Sequence, residues 1–494
     1  MCHYSCHRGV TPPIGVASRL NNIRFILDGE VVSIENAEPT RSVLQYLRED
    51  LNRTGSKEGC AEGDCGACTV VIAEAVNNRV RYRAVNACIQ FLPTLNGKAL
   101  FTVESLKNTD GSLHPVQQSL VDFHASQCGF CTPGFVMSLF ALYLSDAKPT
   151  RETLDDVLSG NLCRCTGYKP IIEAGMRMHE YPAVSENEQL LLEQLNALKT
   201  SADLQLDRYH APTSLDALAS LYQQKPDATI LAGGTDVGLW VSKQLRELSE
   251  VIYLGNVPEL KQIQPSDKGI EIGAAVTLED AFACLEKPFP ELTELFRRFS
   301  SMPVRNAGTL VGNIANGSPI GDSMPALICI DALVKLRLGS QTREMALQDL
   351  YIDYQKNALQ AGEFVESVFI PTRDVDLKLA SYKLSKRYDQ DISAVCSAFS
   401  IRLDGDTVTE VKIAFGGMAA IPKRAAQTEA FLTGKSWHEK NIQQAMELLK
   451  QDFAPLSDMR ASAAYRSQTA SNLLYRFYLQ TTTQTSLNVF EVVA

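Results

Sequence analysis

The sequence predicts a multidomain protein of the α+β class. Its 494 residues exceed what one hydrophobic core normally supports, so three or four domains are expected. Apolar and polar residues alternate at residues 22–35 and 391–419, as they do in β-strands. Segments with helical periodicity lie between these two stretches and after the second. Hydrophobic residues make up 45% of the chain and charged residues 21%, which is typical of a globular protein.

Charge and hydropathy exclude several classes of protein. The net charge is −10 and there is no basic block, which argues against nucleic acid as a partner. No apolar run reaches the roughly 18 residues that a membrane span needs. The N-terminus lacks the apolar stretch of a secretory signal, so we expect a cytoplasmic protein and no membrane. In that reducing compartment, the thirteen cysteines are expected to be metal ligands or core residues rather than disulfides.

Five cysteines stand apart from any metal-ligand spacing. Cys284, Cys329 and Cys396 lie in apolar contexts and are expected to be small buried hydrophobes. Cys2 and Cys6 lie in residues 1–20, which contain almost no apolar content. We expect these twenty residues to form a disordered extension. A metal-binding knot of the two cysteines and their neighbouring histidines is the alternative.

The first domain is predicted over residues 21–105. Apolar and polar residues alternate around Asp28-Gly29, which indicates a β-hairpin. The segment 42–51 then places Val43, Leu47 and Leu51 on one stripe of a helix. A small sheet crossed by a single helix is therefore expected.

Four cysteines in this first domain have the spacing C-x4-C-x2-C-x19-C. This is the pattern of plant-type [2Fe–2S] proteins, in which three thiolates come from one tight loop. Glycines 55, 59, 63 and 66 are expected to give that loop positive φ angles and to bring amides close to the sulfurs. The sequence thus predicts a β-grasp ferredoxin, with a structural zinc site as the weaker alternative. The predicted ligands are Cys60, Cys65, Cys68 and Cys88.

A second quartet of cysteines lies in a helical region, predicted over residues 106–182. Cys128 and Cys131 occur in QCGFCTPG, and Cys163 and Cys165 occur in GNLCRCTGY. Capping threonines at 132 and 150 and prolines at 115 and 170 mark the starts of four helices. One C-x2-C pair alone is equally typical of a thioredoxin-like motif. Two pairs that four helices bring together, just after a ferredoxin, are a strong signal of a second site.

A polar linker with a leucine-rich patch that can hold a short helix is predicted over residues 183–205, and a helix of the following domain is the alternative. Two glycine-rich segments follow it. The segment TILAGGTDVGL (229–239) is a strand ending in a glycine turn, which suits a pyrophosphate, although no G-x-G-x-x-G fingerprint is present. The segment 305–327 interleaves glycines with apolar residues and is expected to pack closely around a ligand. From about residue 378, two strands around Asp404-Gly405 and two amphipathic helices predict another α+β domain without a catalytic constellation.

The motifs GCAEGDCGAC, QCGFCTPG and GNLCRCTGY, in this order, resemble the iron–sulfur part of the molybdenum hydroxylases, a family that includes xanthine dehydrogenases and aldehyde oxidases. The resemblance assigns the first four cysteines to one [2Fe–2S] cluster and the second four to another. It also implies that Gln127 and Cys165 face the molybdopterin of a partner. By the same resemblance, residues 206–377 form an FAD-binding domain and residues 378–494 the C-terminal flavoprotein domain.

The resemblance also implies which residues bind FAD. Asp322 contacts the cofactor, Phe299 packs near the adenine and Lys383 approaches the isoalloxazine, while Val365 is carried over by counting back from Lys383. The alternatives are a plain core aromatic for Phe299 and a solvated charge for Lys383. The implied pyrophosphate-binding residues are Ile230, Leu231, Ala232, Gly233, Gly234, Thr235, Asp236, Val237, Thr309, Leu310, Val311, Gly312 and Asn313.

The function that the resemblance implies is electron transfer in a xanthine dehydrogenase. A large molybdopterin-binding subunit, expected in an (αβ)2 heterotetramer, would oxidise the purine, and electrons would pass through both clusters to FAD and on to NAD+. We expect no residue of this chain to take part in substrate hydroxylation. The alternatives are the same part of an aldehyde- or N-heterocycle-oxidising relative that delivers electrons to dioxygen, a free-standing NADH-linked iron–sulfur flavoprotein, and a structural iron–sulfur protein without flavin.

Overall fold

The computed structural model describes residues 19–107, 110–145, 147–184 and 187–483. Cys2, Cys6 and residues 1–18 of the expected extension lie outside the described residues. The expectation of disorder is wrong for the last two residues of that extension, because strand β1 (Arg19–Leu20) pairs in parallel with residues 203 and 204. Within the described ranges no helix is both long and apolar enough to cross a bilayer.

The first compact unit is a mixed five-stranded sheet with the order β3-β2-β6-β4-β5, in which β2 and β6 run parallel. Positive φ angles at Asp28 and Gly29 close the predicted hairpin. The helix begins with a capping box at Ser42 and continues as a π-helix over Tyr46–Asp50. The predicted β-grasp fold is confirmed, with the elements β2 (Asn22–Leu27), β3 (Glu30–Glu35), α1 (Val43–Gln45), β4 (Thr69–Val76), β5 (Arg79–Asn86) and β6 (Ala99–Phe101).

One detail of the predicted helical stripe is wrong. Val43 and Leu47 are fully buried under the sheet, whereas Leu51 is 36% exposed. The chain leaves the helix at Leu51, where the last amide of the π-helix bonds back to the carbonyl of Tyr46. The buried stripe is therefore one position shorter than the periodicity suggests.

The second unit is a bundle of four helices, as predicted. Thr150 caps α4 through its side chain, and His114 caps α2 in front of Pro115. The expected cap at Thr132 is wrong, because α3 starts at Thr132 itself with Cys131 as the capping residue. The helices are α2 (Pro115–Asp122), α3 (Thr132–Tyr143), α4 (Arg151–Leu158) and α5 (Lys169–Arg177).

The leucine-rich patch of the predicted linker forms a helix, α6 (Glu188–Leu198). Its leucines at 191, 192, 195 and 198 are buried against the outer face of the ferredoxin sheet, beside Ile26 and Val80. The segment is thus a docked element, because the spacing of the leucines gives it one apolar face to bury.

The third unit contains two sheets. The first has the order β1-β7-β8-β10-β9, and the second the order β11-β12-β17-β13-β14. The first glycine-rich segment runs into helix α8, and the second contains helix α12 and most of helix α13. The elements are β7 (Asp203–Leu206), β8 (Tyr209–Ala211), α7 (Leu215–Gln224), β9 (Thr229–Leu231), α8 (Val237–Ser242), β10 (Val251–Tyr253), β11 (Ile263–Ser266), β12 (Gly269–Gly273), α9 (Leu278–Glu286), α10 (Thr293–Arg297), α11 (Met302–Ala307), α12 (Leu310–Asn316), α13 (Ser323–Cys329), β13 (Leu333–Leu338), β14 (Gln341–Ala346), β15 (Tyr351–Asp353), β16 (Lys356–Asn357) and β17 (Phe364–Pro371).

The last unit is an antiparallel sheet, β18-β19-β20-β21, covered by three helices. The hairpin predicted around Asp404-Gly405 joins β19 to β20, and His438 is exposed, as expected. Cys329 and Cys396 are buried, but Cys284 is only partly so. The elements are β18 (Lys378–Leu384), β19 (Val395–Asp404), β20 (Thr407–Gly416), β21 (Lys423–Arg424), α14 (Ala426–Leu432), α15 (Glu439–Asp452) and α16 (Ala463–Thr482).

Candidate functional site

The first cysteine quartet lies on the loop that leads into β4 and on the turn after β5. The sulfur of Cys60 accepts backbone N–H groups from Glu62 at 3.4 Å and Cys65 at 3.3 Å. Amides aimed at a sulfur favour the thiolate, which is the form that binds iron. The pKa of the Cys60 thiol is accordingly lowered, chiefly by a hydrogen bond from the Cys65 thiol and then by one from Cys88.

Glycines shape this loop in two different ways. Gly63 and Gly66 have φ angles of +77° and +70°, as predicted. The expectation of positive φ is wrong for Gly55 and Gly59, which instead lack room for a side chain: a Cβ at Gly59 would lie 2.7 Å from the Cys65 sulfur. The loop therefore wraps its sulfurs closely, because its backbone can come within contact distance of them.

The second quartet lies at the ends of the bundle helices and faces the surface. Cys128 and Cys165 are exposed, with their sulfurs 3.7 Å apart. The sulfur of Cys163 accepts the amides of Cys165 and Thr166, each at 3.4 Å. Burial raises the pKa of the neighbouring Cys131 thiol to about 12.

Both quartets fit a [2Fe–2S] cluster by donor chemistry, since each offers four thiols with backbone amides directed at a sulfur. Such a cluster takes two thiolates on each of two irons, so its ligands do not converge on one point. In the part of the chain that the structure describes, no three His, Cys, Asp or Glu side chains are arranged so that they could hold a single metal ion.

The two quartets are joined by direct hydrogen bonds. The amide of Leu162, which precedes Cys163, donates to the carbonyl of Cys65 at 3.0 Å. The buried side chain of Asn161 donates to the carbonyl of Gly66 at 3.1 Å and accepts from Ser138 at 2.7 Å. The ferredoxin loop and the helical bundle are therefore held in fixed contact beside their cysteines.

A cavity of about 720 Å³ opens between the ferredoxin loop, the two-sheet unit and the last unit. That volume lies in the range typical of pockets for cofactor-sized ligands. The structure brings every residue expected to bind FAD to its wall except Leu231 and Leu310. Those two are fully buried in the cores behind it, because alternate residues of the same segments point away from the cavity.

The two glycine segments meet at one side of this cavity. A Cβ at Gly233 would lie 1.9 Å from the carbonyl oxygen of Ala307, so only glycine allows the approach. Thr309 caps α12 by accepting the amide of Gly312 at 3.0 Å. This packing aligns residues 230–237 with residues 309–313, although the two segments are about seventy residues apart in the sequence.

A buried ion pair lies at another side of the cavity. The ammonium group of Lys383 contacts a carboxylate oxygen of Asp322 and donates to the carbonyl of Asp391 at 2.8 Å and the hydroxyl of Ser393 at 3.0 Å. Lys383 is 5% exposed, so it is not the solvated charge of the alternative interpretation. The other oxygen of Asp322 is buried without a hydrogen-bond partner among the described residues. A cavity with an orphaned acceptor on its wall fits FAD, which carries hydroxyl and ring N–H donors.

Sequence reasoning missed the part of the wall that comes from the ferredoxin loop. Glu62, Gly63, Asp64 and Ile89 line the same cavity as the glycine segments. Gln390 fixes this approach by donating to the carbonyl of Asp64 at 2.9 Å, across 326 residues of sequence. No local pattern marks such a contact, since its partners belong to separately folded units.

Comparison with known proteins gives four domain matches that follow one another along the chain. They are a 2Fe-2S iron-sulfur cluster binding domain over residues 25–90, a [2Fe-2S] binding domain over 102–176, the FAD binding domain in molybdopterin dehydrogenase over 201–373 and a CO dehydrogenase flavoprotein C-terminal domain over 380–481. The first two contain the two cysteine quartets, and the last two contain all the cavity residues outside the ferredoxin domain. In all four matched domains the chain resembles the molybdenum hydroxylase family.

Full-length relatives among the molybdenum hydroxylases extend well beyond this chain. The xanthine dehydrogenase of Emericella nidulans is 31% identical, in a match that covers 95% of this chain and 40% of the relative. That of Drosophila pseudoobscura pseudoobscura is also 31% identical, covering 93% of this chain and 39% of the relative. The chain thus spans about 40% of the length of these curated relatives.

Solved structures resemble about half of the chain. A carbon monoxide dehydrogenase chain from Hydrogenophaga pseudoflava superposes with a TM-score of 0.52 and 26% identity, over 55% of this chain and 94% of that chain. A chain of quinoline 2-oxidoreductase from Pseudomonas putida 86 gives a TM-score of 0.50 and 26% identity, over 55% and 95%. The chain thus has iron–sulfur and FAD-binding domains similar to those of these oxidoreductases.

Proposed function

We propose that this chain is the electron-transfer component of a xanthine dehydrogenase, which passes electrons from a molybdopterin-binding partner through two [2Fe–2S] clusters to FAD and on to NAD+. The observation that carries the proposal is the continuity of the three sites. The exposed thiols of Cys128 and Cys165 lie at the surface, Leu162 contacts Cys65 between the quartets, and the loop of Cys65 lines the cavity.

The bound groups would supply one-electron chemistry at the two clusters and two-electron chemistry at FAD, which can exchange a hydride with NAD+. The eight cysteines would hold the clusters, and the glycine segments with Asp322 and Lys383 would hold FAD. No residue of this set has the chemistry to hydroxylate a purine, so that reaction is assigned to the partner.

The protein's own residues position these sites and control the access of water. Gln127 is exposed and donates to the carbonyl of Cys165 at 3.1 Å, so its side chain orients the outermost cysteine toward the partner. In the first quartet, called the inner quartet from here on, Cys68 and Cys88 are only 2% and 6% exposed, whereas its other two cysteines are partly exposed. Water is therefore kept from one side of the inner quartet. Low exposure favours a small reorganisation of solvent when a redox group gains an electron. The second quartet, called the outer quartet from here on, must instead lie at the surface to receive electrons from the partner.

Xanthine is the proposed substrate of the partner because the xanthine dehydrogenases described above match 93% or more of this chain. We place the complex in the cytoplasm as an (αβ)2 heterotetramer. A second candidate is the corresponding component of an N-heterocycle oxidoreductase. The similarity to the quinoline 2-oxidoreductase chain, over 55% of this chain, favours it.

The test uses the purified chain with its native iron and flavin. NADH should reduce its flavin and, through it, an artificial dye, while xanthine gives no turnover until the molybdopterin partner is added. Xanthine oxidation by this chain alone would contradict the proposal. If NADH does not reduce the flavin, NAD+ is not the acceptor. If quinoline but not xanthine is oxidised after the partner is added, the second candidate is correct.

A further inference from the structure

Asn86 is a buried polar residue beside the inner cysteine quartet that the proposed function leaves unused. It ends strand β5, two residues before Cys88, and pairs in register with Thr69, the neighbour of Cys68. Its side chain is 2% exposed. Neither its amide nitrogen nor its oxygen has a hydrogen-bond partner of ordinary length among the described residues.

An unpaired amide in a protein interior costs free energy, so a partner outside the polypeptide is expected. The neighbouring polar groups are already engaged. Thr69 donates to the carbonyl of Gly66 at 2.7 Å and accepts from Asn161 at 3.3 Å. Thr69 therefore offers no free hydrogen-bonding group to Asn86.

The direction of the Asn86 side chain identifies the missing partner. Its oxygen lies 3.8 Å from the position of a Cβ on Gly63, which belongs to the cysteine loop. Across the strands Asn86 lies opposite Thr69, which follows Cys68, and along the chain it lies two residues before Cys88. The amide thus faces the inside of the loop, where the four sulfurs gather.

We propose that Asn86 donates a side-chain N–H to a sulfur of the cluster held by Cys60, Cys65, Cys68 and Cys88, and thereby raises the reduction potential of that cluster. The inference rests on the proposed function, since it needs a cluster in this loop. Reduction adds negative charge to the cluster, and an N–H aimed at a sulfur stabilises the reduced form more than the oxidised form. Asn86 is in this sense a positioning and tuning residue, not a ligand.

The experiment compares the reduction potentials of both clusters in the unaltered chain and in Asn86→Leu, by a redox titration followed by EPR. Leucine has nearly the same volume and no N–H. The equilibrium constant for reduction of the inner cluster should fall roughly tenfold, which is about 59 mV for a one-electron couple. The outer cluster serves as the internal reference, and its potential should not change.

Gln90→Leu is the matched control. Gln90 is as far beyond Cys88 as Asn86 is before it, and it is also buried, but its amide already donates to Thr94. Its loss should leave both potentials unchanged. An unchanged potential in Asn86→Leu, at full iron content, would overturn the inference. The absence of any cluster from the unaltered chain would instead contradict the proposed function.

A second measurement covers the case in which Asn86→Leu does not assemble its cluster. Asparagine labelled with ¹⁵N at the side-chain amide is incorporated into the unaltered chain, and the reduced inner cluster is examined by pulsed EPR. A side-chain ¹⁵N coupled to the spin of that cluster is the expected result. No such coupling would refute the hydrogen bond, whatever the stability of the variant.

Discussion

At the scale of single residues, the ion pair of Lys383 and Asp322 is the feature of the flavin cavity that should tolerate substitution least. Both side chains are almost fully buried, and Lys383 has three oxygen partners. Such a pair is held mainly by the cost of leaving either charge alone in the interior. The pair therefore fixes the wall of the cavity whether or not a ligand is bound.

We expect Lys383→Met to lower the free energy of unfolding by about 3–5 kcal/mol, because it leaves the Asp322 carboxylate buried without a counter-charge. The flavin content should fall with it. The double variant Lys383→Met/Asp322→Asn should recover most of the stability but not the flavin. Thermal unfolding and flavin absorbance after desalting measure the two effects. A double variant no more stable than the single one would contradict the assignment of the loss to an unpaired charge.

At the scale of elements, the contact between the ferredoxin loop and the helical bundle depends on glycine. A Cβ at Gly66 would lie 2.1 Å from the carbonyl oxygen of Gly160, and the residue also has a φ angle of +70°. A backbone oxygen cannot swing aside as the end of a side chain can. The close approach is therefore lost if any side chain is added at this position.

We expect Gly66→Ala to destabilise the protein and to reduce the iron content of both quartets. Gly97→Ala is the control, because Gly97 has a φ angle of +79° but nothing within 4 Å of its Cβ position. Gly97→Ala should lower the free energy of unfolding by about 1–2 kcal/mol, because an alanine there must adopt a left-handed conformation. Gly66→Ala should cost a further 1–3 kcal/mol or so from overpacking. Equal losses in thermal unfolding would show that the contact with Gly160 is adjustable.

The cap of helix α2 makes the free energy of unfolding depend on pH. His114 caps it by accepting the amide of Val116 at 3.2 Å, and burial lowers the pKa of His114 to about 4. The unfolded chain therefore takes up a proton that the folded chain excludes when the pH falls below about 6.5. The stability is complete above that pH and declines as the pH approaches 4.

We expect the free energy of unfolding to fall by about 1 kcal/mol between pH 7 and pH 5.5 through this histidine. His114→Asn, which keeps a capping acceptor, should remove that part of the pH dependence. His179→Gln is the control, since His179 is an exposed imidazole stacked on Tyr143 in the same bundle. Denaturant unfolding at the two pH values measures the difference. A slope unchanged by His114→Asn would mean that another group titrates.

The elements that the sequence predicts correctly are those with a local signature. The cysteine spacing, the Asp28-Gly29 hairpin and the prolines of the bundle each determine their structure through near neighbours. The approach of Gly63 and Asp64 to the flavin cavity depends on Gln390, which is distant in the sequence. The resemblance implies that Leu231 binds the pyrophosphate, yet its side chain is buried behind the cavity, because a motif does not tell which of its side chains turn inward. The orphaned amide of Asn86 is visible only when every possible partner has been located.

At the scale of the whole molecule, the flavin-binding unit holds both iron–sulfur units by ion pairs. Arg297 reaches Glu152 at 2.8 Å and Asp156 at 3.0 Å on the helical bundle. On the ferredoxin side, Arg83 of β5 binds Asp280 and donates to Thr277 at 2.9 Å. The three sites therefore keep fixed separations, which a chain of electron-transfer steps requires.

We expect two distinct [2Fe–2S] signals in the EPR spectrum of the dithionite-reduced chain, because one quartet lies in a β loop with two buried cysteines and the other lies between helix ends with two exposed cysteines. Cys128→Ser should remove only the signal of the exposed quartet and leave the other signal and the flavin in place. Electron flow from the partner should cease. Loss of both signals, or two irons per chain in the unaltered protein, would contradict two separate clusters.

Strand β1 has a consequence for the order in which the protein is made. Its residue Arg19 pairs with Asp203, so 184 residues must be translated after β1 before its partner strand exists. At roughly 5–20 residues per second, the ribosome needs roughly 10–40 s for this stretch. During that interval the ferredoxin fold and the helical bundle are complete in sequence, while the sheet beside the flavin cavity is not. During this period the inner cysteine loop of the nascent chain is accessible to the cell's iron–sulfur assembly machinery, because the flavin-binding unit does not yet cover it. Iron incorporation into ribosome-bound chains stalled before residue 203 would reveal this period, and its absence would show that the clusters are inserted only after release.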